Sequence, residues 1–497
     1  MKVYTPYSCI RAISVLCLLW AIGPHRAQAQ GQQGSGTPYS AYGFGTLINS
    51  PQVEQAMMGG TGVALSDPFA LNIANPASYP ALALTDLQTS VAIRFLRFDS
   101  DDRTAKGNRM DLLGLALAIP FGQGRWGMAL GITPVSDVGY RITDQGQVSE
   151  GAVTYEYSGN GGLNRGFIGL GRTLWQSNDT LGKGTKVSFG ANFDYLFGSI
   201  EEARKAYYPR GTGYYNTNVV SELNVYDPMV GIGLQWTSDL LSKARMQQRR
   251  DARRKHLAAV DERKEQEWLD QGKDPGKRNA VRMPKAEAEA WRFRFGFTAD
   301  LPTNLRADYD LTATNFVYTN AGAEATVDTA YIVGGSVGEV HLPLQAGIGF
   351  TVFNSRWTMT AEYRVRDWSQ LRVNVEGYDQ RSTLRTSSTT AVGFSFRPAG
   401  DGNGSFGERI IYRAGLRYTD DYLVVAGAPL SEFGMSLGFS LPVMMNTIRS
   451  RINFGTELGE RGTGTGGSVR ERFAAVFIGI SITPDLREQW FKKRRIE

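Results

Sequence analysis

Eight arginines, Arg94, Arg292, Arg294, Arg364, Arg366, Arg413, Arg417 and Arg451, share one parity of alternating segments with Asp194, Glu362 and Glu457. A guanidinium fork can hold a carboxylate through two parallel hydrogen bonds. Arg294, Arg364, Arg413 and Arg417 are therefore candidates for holding an anionic ligand. Charge pairing that fixes neighbouring backbone is the other use of such residues. Catalysis has little material. Both cysteines, Cys9 and Cys17, fall in the first thirty residues, and His256 and His341 are the histidines beyond them. Neither histidine belongs to a serine-acid constellation, no nucleophile elbow is read, and no zinc site, disulfide framework or cofactor is expected.

The segments that carry these arginines alternate with a period of two. In Val187–Phe197 one face is Val187, Phe189, Ala191, Phe193, Tyr195 and Phe197, and the other is Ser188, Gly190, Asn192, Asp194 and Leu196. In Trp291–Ala299 the apolar face is Trp291, Phe293, Phe295, Phe297 and Ala299, opposite Arg292, Arg294, Gly296 and Thr298. Such runs exceed the five or six residues usual for a soluble sandwich strand and reach the roughly 9 to 11 of a membrane-spanning one. Backbone polar groups in hydrocarbon must all be paired, so a spanning sheet closes on itself. Runs at 89–98, 110–120, 126–143, 162–175, 185–199, 220–237, 290–303, 338–353, 357–373, 386–397, 408–424, 432–444, 449–460 and 469–484 predict an all-β, 14-stranded antiparallel transmembrane β-barrel over 89–484.

Residues 1–29 read as a signal peptide: Lys2 and Arg11 flank an apolar stretch that ends at Ala27-Gln28-Ala29. Leu16 before Cys17 disfavours lipidation. Export and a closed sheet predict a Gram-negative outer membrane. Short gaps such as Phe121–Arg125 and Asn354–Arg356 would be periplasmic turns, and long ones such as Asp144–Gly161 and Asn374–Arg385 external loops. Trp126, Trp175, Trp236, Trp291 and Trp357 would then all sit at the periplasmic interface, where an indole finds both oil and water. The net charge of +6 is local in origin, because Lys243–Glu289 carries 14 Lys/Arg against 9 Asp/Glu. Nucleic-acid binding is therefore not expected.

Residues 30–88 are glycine-rich lead and turn sequence. Within them, Gln55-Ala56-Met57-Met58-Gly59-Gly60-Thr61-Gly62-Val63-Ala64 and Asn72-Ile73-Ala74-Asn75-Pro76-Ala77-Ser78 resemble the start of the FadL/TodX family of outer-membrane hydrophobic-compound transporters. The fourteen-strand count fits that family too. The resemblance implies an N-terminal hatch in the lumen, with Gly59, Gly60, Gly62, Asn75 and Pro76 at its turns. It also implies passive diffusion of a hydrophobic small molecule, such as a long-chain fatty acid, towards outer-membrane lipid. A static plug is the alternative to a moving hatch. Pro134, inside the third strand, removes a ladder donor and predicts a wall defect. The resemblance implies a lateral gate there, and ordinary curvature is the alternative.

Two segments depart from the family pattern. Residues 240–290 form a charged insertion between strands 6 and 7, helix-favouring over Lys243–Asp270 and broken by Gly272 and Pro275. It is either a solvated excursion or a docking arm for a periplasmic protein or an anionic surface. Residues 485–497 form a basic tail that ends in Lys492-Lys493-Arg494-Arg495 and nearby residues. A non-transporting barrel serving as scaffold or accessory subunit of a secretion or surface-attachment complex is the rival function. A continuous apolar pocket under the hatch would favour transport, and a lumen filled by charge pairs would favour the scaffold.

Overall fold

The computed structural model describes residues 36–483 apart from 49–51, 101–102, 150, 178–183, 210, 212, 241–242, 271–290, 320–321, 380–382, 401–403, 426, 444–448 and 465–467. The signal peptide, the basic tail, and Gly272 and Pro275 of the insertion lie outside the described residues.

Fourteen strands close into one antiparallel barrel. They are β1 (Asp86–Asp99), β2 (Thr104–Phe121), β3 (Trp126–Pro134 continued by Ser136–Val148), β4 (Gly151–Gln176) and β5 (Lys186–Tyr207). Next come β6 (Asn216–Asp239), β7 (Arg292–Asp300 continued by Thr303–Tyr318), β8 (Glu324–Leu342 continued by Gln345–Phe353) and β9 (Trp357–Asp367 continued by Arg372–Asn374). The last five are β10 (Thr386–Phe396), β11 (Ile411–Val425), β12 (Ala428–Pro442), β13 (Arg451–Arg461) and β14 (Arg470–Ile482). Pairing of β14 with β1, from Arg470 opposite Asp99 to Ile482 opposite Leu87, removes the free edge. β1 and β14 therefore begin and end on one rim, here the terminal rim.

Period two sorts the side chains as oil and a filled bore require. Phe193, Val392, Leu437 and Phe295 face outward and are 54, 52, 53 and 45% exposed, whereas Arg294, Arg413, Arg417, Arg451 and Glu362 face inward and are buried. Trp126, Trp175, Trp236, Trp291 and Trp357 all lie at strand ends on the terminal rim. Trp126 stacks on Phe121 and Trp357 on Phe396.

The opposite, distal rim corrects the reading of long loops. Residues 144–148 and 151–161 are not a loop: β3 and β4 run on as a paired hairpin as far as Val148 opposite Gly151. Likewise 304–318 and 324–337 are the outer parts of β7 and β8, paired from Thr303–Leu342 to Tyr318–Glu324. Val327, Tyr331, Ile332 and Val337 are exposed there. In β7 Leu305, Ala307 and Tyr309 still alternate with Arg306 and Asp308 and are buried in the core. In β8 both faces are largely exposed from Glu324 to Val337, so the alternation that betrays a strand is missing there.

The described residues between 36 and 85 lie inside the ring. A 3-10 turn over Pro38–Ala41, a two-residue strand Thr46–Leu47, a short helix α1 (Val53–Ala56) and a second 3-10 turn over Pro76–Ala81 follow one another there. Towards the distal rim, Tyr39 and Phe44 of this segment join Leu196, Leu223, Leu305, Trp368 and Tyr422 in one hydrophobic core. The 28-residue helix α2 (Lys243–Asp270) follows β6, which ends at the terminal rim.

Candidate functional site: the plugged lumen and the broken wall

The plug rests on glycine. On the inward face, β3 to β8 present Gly127, Gly171, Gly190, Gly233, Gly296 and Gly349, and β10 to β14 present Gly393, Gly415, Gly438, Gly455 and Gly479. Many pair with one another across strands: Gly127 with Gly171, Gly171 with Gly190, Gly190 with Gly233, Gly296 with Gly349, Gly393 with Gly415, and Gly438 with Gly455. A Cβ at most of these positions would sit within 3 Å of a plug atom: Tyr79 O at Gly127, Pro76 at Gly171 and Gly190, Val63 at Gly296, Met58 O at Gly393, and Gly59 N at Gly415. That is well inside carbon contact distance. The plug backbone therefore touches the wall around most of its circumference through positions where only glycine leaves room.

β9 carries no glycine at this level; it carries Glu362, opposite Gly349 of β8. The Glu362 Oε2 accepts the Gly62 and Val63 N–H groups at 2.6 and 2.7 Å, and its Oε1 lies 2.7 Å from Arg364 Nε. Arg364 in turn donates to Gly60 O at 2.9 Å. The turn at Gly59 and Gly60 has φ of 72° and 82°, the left-handed region that glycine enters freely. On the other side of the turn, Gln235 donates to Val63 O and Leu65 O at 3.1 and 3.0 Å, and Asn72 donates to Gly62 O at 2.7 Å. Asn75 caps the turn that begins at Pro76 by accepting from Ala77 N, and it donates to Val63 O at 2.7 Å. Of the plug residues named from the sequence, Gly60, Gly62 and Asn75 thus meet in one polar network, with Gly59 in the same turn and Pro76 next to Asn75. Gln235, Asn72 and the inward glycines of the wall are additions.

Of the four candidate arginines, Arg294 donates to Ala64 O and Ser66 O at 3.4 Å and stacks over Phe353, and Arg364 holds Gly60 O. Arg417 is claimed by Glu432 at 2.8 Å and by Glu457 at 2.5 Å, and Arg413 donates to Ser440 Oγ. Asp67 of the plug joins Arg397 and Arg451 at 3.3 and 3.5 Å. Burial alone would raise the Asp67 carboxyl, but Arg451 and Arg397 outweigh it and hold it at about 2, against an ordinary 3.8. A depressed folded-state value means that this stabilisation is present above about pH 4 and is lost as the pH falls towards 2. Thermal unfolding in detergent is therefore expected to show a smaller loss of stability on acidification for Asp67→Asn than for the natural chain. An unchanged profile would count against these ion pairs.

Two stretches have the G-x-S-x-G spacing that the sequence reading passed over, Gly434-Met435-Ser436-Leu437-Gly438 and Gly334-Gly335-Ser336-Val337-Gly338. Both lie inside strands rather than at the strand-to-helix elbow that exposes a nucleophile. The Ser436 hydroxyl accepts from Gly59 N at 3.0 Å, one more plug tie.

The wall breaks at Pro134. β3 stops there, resumes at Ser136, and changes partner: Trp126–Ile132 pairs with β2, but Ser136 and Asp137 pair with Leu47 and Thr46 of the plug. Gly114 of β2 and Gly161 and Gly162 of β4 share this level with φ of 132°, 114° and 139°, so the neighbouring strands bend with it. Arg109 of β2 reaches across to Asp137 in an ion pair. A cavity of about 400 Å³ opens beside the break, lined by Met110, Leu112, Pro134, Asp137, Gly162 and Gly198 among others. A second, of about 160 Å³, lies between plug and core, where Phe44, Ile73, Pro134 and Trp368 meet Arg165, Arg364 and Arg366.

Compared with known families, the BamG family model matches residues 10–281 and 278–497. The chain belongs to the BamG family. No curated protein matches. Among solved structures, this BamG-family barrel is similar to the CymD monoaromatic hydrocarbon channel, at 13% identity over 90% of this chain and 100% of that one with a TM-score of 0.48. It is similar also to the Ralstonia pickettii toluene transporter TbuX, at 13% identity over 87% and 97% with a TM-score of 0.48. A Pseudomonas aeruginosa FadL homologue is similar at 14% identity over 88% and 99% with a TM-score of 0.47. The family shown is thus BamG, where the opening motifs had pointed to FadL/TodX.

Proposed function

We propose that this barrel is a sealed outer-membrane protein that works as a scaffold or accessory subunit of an envelope complex, with its terminal rim and α2 towards the periplasm. One observation carries the reading: the plug backbone sits on the inward glycines and its polar groups are claimed by Glu362, Arg364, Arg294 and Gln235. A moving hatch would have to break these ties together, and buried polar groups separated from their partners cost about 1–3 kcal/mol each. The cavity between plug and core, about 160 Å³, is below the roughly 300–1,000 Å³ of ordinary ligand pockets, whereas the one of about 400 Å³ at the wall break falls within that range and belongs to the second reading below. Oleate uptake by cells with and without the gene tests this directly. Equal uptake is expected, and a clear drop on deletion would overturn the sealed barrel.

The break at Pro134 supports a second reading, transport of a hydrophobic small molecule from the lumen sideways into the membrane. Pro134 would mark the lateral gate, the segment around Gly59–Gly62 and Asn75-Pro76 would be the hatch, and Arg364, which lines the small cavity, would face a carboxylate; Arg294, Arg413 and Arg417 would have to exchange their present partners. A disulfide between cysteines placed at Thr46 and Asp137, which are register partners, separates the readings. It should leave a scaffold's function intact and should abolish toluene or oleate flux into proteoliposomes if the gap is a route.

A further inference from the structure

The charge order along α2 is left over by both readings. Lys243–Lys255 holds seven basic residues and one acidic one, Asp251, whereas His256–Asp270 holds two basic and five acidic ones. Its first turn carries no acidic residue and its last turn no basic one. This order opposes the helix dipole, which favours acids at the start and bases at the end, so it does not serve the helix's own stability. Nor is the helix a membrane-inserting one, because charge surrounds its few apolar residues.

Position supplies the reason. Leu240 N donates to Trp291 O at 2.9 Å, which ties the root of the insertion to the terminal rim. Helix begins at Lys243, at most about 10 Å of extended chain away. The basic part then spans only about 20 Å. It therefore starts within roughly one Debye length of the headgroup layer around the barrel. The acidic part follows it in the chain, beyond the first about 20 Å of helix.

We propose that the basic root of α2 binds the anionic phospholipid headgroups of the leaflet at the terminal rim, and that repulsion from the same surface turns the acidic end away from the membrane. The attraction is electrostatic, the kind that draws lysine- and arginine-rich segments beside a membrane span to acidic lipid. It rests on the membrane-spanning barrel and on neither of the two functional readings.

The test uses the full chain in nanodiscs, with Cys9 and Cys17 replaced by serine and a fluorophore on Gln248→Cys, an exposed position of the root. A nitroxide-headgroup lipid quenches the dye on close approach. Quenching is expected to be several-fold stronger in phosphatidylglycerol-containing discs than in phosphatidylcholine discs. It should fall at least about tenfold in the bound fraction when Arg249, Arg250, Arg253 and Arg254 are all changed to glutamine, with lysine at those sites restoring it. About 0.5 M salt should weaken it, because screening then acts within a few ångströms. Equal quenching in the two lipids would overturn the proposal, as would quenching indifferent to the four substitutions. Protection of the dye in phosphatidylcholine discs only after a periplasmic fraction is added would overturn it in favour of an acidic protein partner.

Discussion

Replacing Glu362 by alanine is expected to destabilise the barrel by about 3–5 kcal/mol, the usual cost of stripping one partner from a buried ion pair. The substitution does more than remove a charge. It leaves the Gly62 and Val63 N–H groups without their acceptor and Arg364 without its 2.7 Å carboxylate. Water cannot replace the lost oxygen cheaply, since Glu362 is only 4% exposed. Urea unfolding in detergent should show the loss as a lowered midpoint, and planar-bilayer recording should show ion current, with none expected from the natural barrel. Glu362→Gln, which keeps the size and one acceptor oxygen but not the charge, should fall between the two. A Glu362→Ala protein with natural stability and no current would mean that the plug is held by packing alone.

Valine at Gly190 and Gly296 is expected to do comparable damage by the opposite route. Overpacking usually costs about 1–3 kcal/mol per site. Here the colliding atoms are backbone, Pro76 C and O at Gly190 and Val63 O and C at Gly296, so a rotamer change cannot relieve the clash. The two sites press on opposite ends of the segment from Val63 to Pro76, and the double variant should either fail to fold or fold with its plug displaced and open to trypsin. Gly407→Ala, where an added Cβ meets nothing within 4 Å, is the control and should change neither stability nor cleavage. A double variant with a natural protease pattern would show that the plug can shift to make room.

The strands were legible because lipid and bore impose opposite demands on successive residues: Phe293, Phe295 and Phe297 against Arg292, Arg294 and Gly296 needs no partner sequence to interpret. Where that demand lapses, as in β8 from Glu324 to Val337, the signal lapsed too. In β7 Leu305, Ala307 and Tyr309 keep the alternation past residue 303, a signal present in the sequence that the predicted run at 290–303 stops short of. Pro134 announced the break in β3 because a missing N–H has a fixed consequence for a ladder. Gly114, Gly161 and Gly162, which bend the flanking strands, did not, since glycine is compatible with almost any backbone. The inward glycines are the sharper case. Gly190 and Gly296 stood visibly on the polar face, but what makes them a seat is that their neighbours across the sheet are also glycine, and register is a property of the closed barrel. The arginines were correctly placed on the inner face; what each one holds depends on the path of the plug, which local spacing does not fix.

Hydrogen exchange at the amides of Gly62, Val63 and Leu71 tests the central claim most directly. These N–H groups are held by Glu362 and Asp86, and a plug that is part of the fold opens only when the barrel does. Their protection in nanodiscs should match that of the β9 and β11 amides. Exchange within seconds at these three positions, with the strands still protected, would describe a hatch that moves freely and would contradict the sealed barrel.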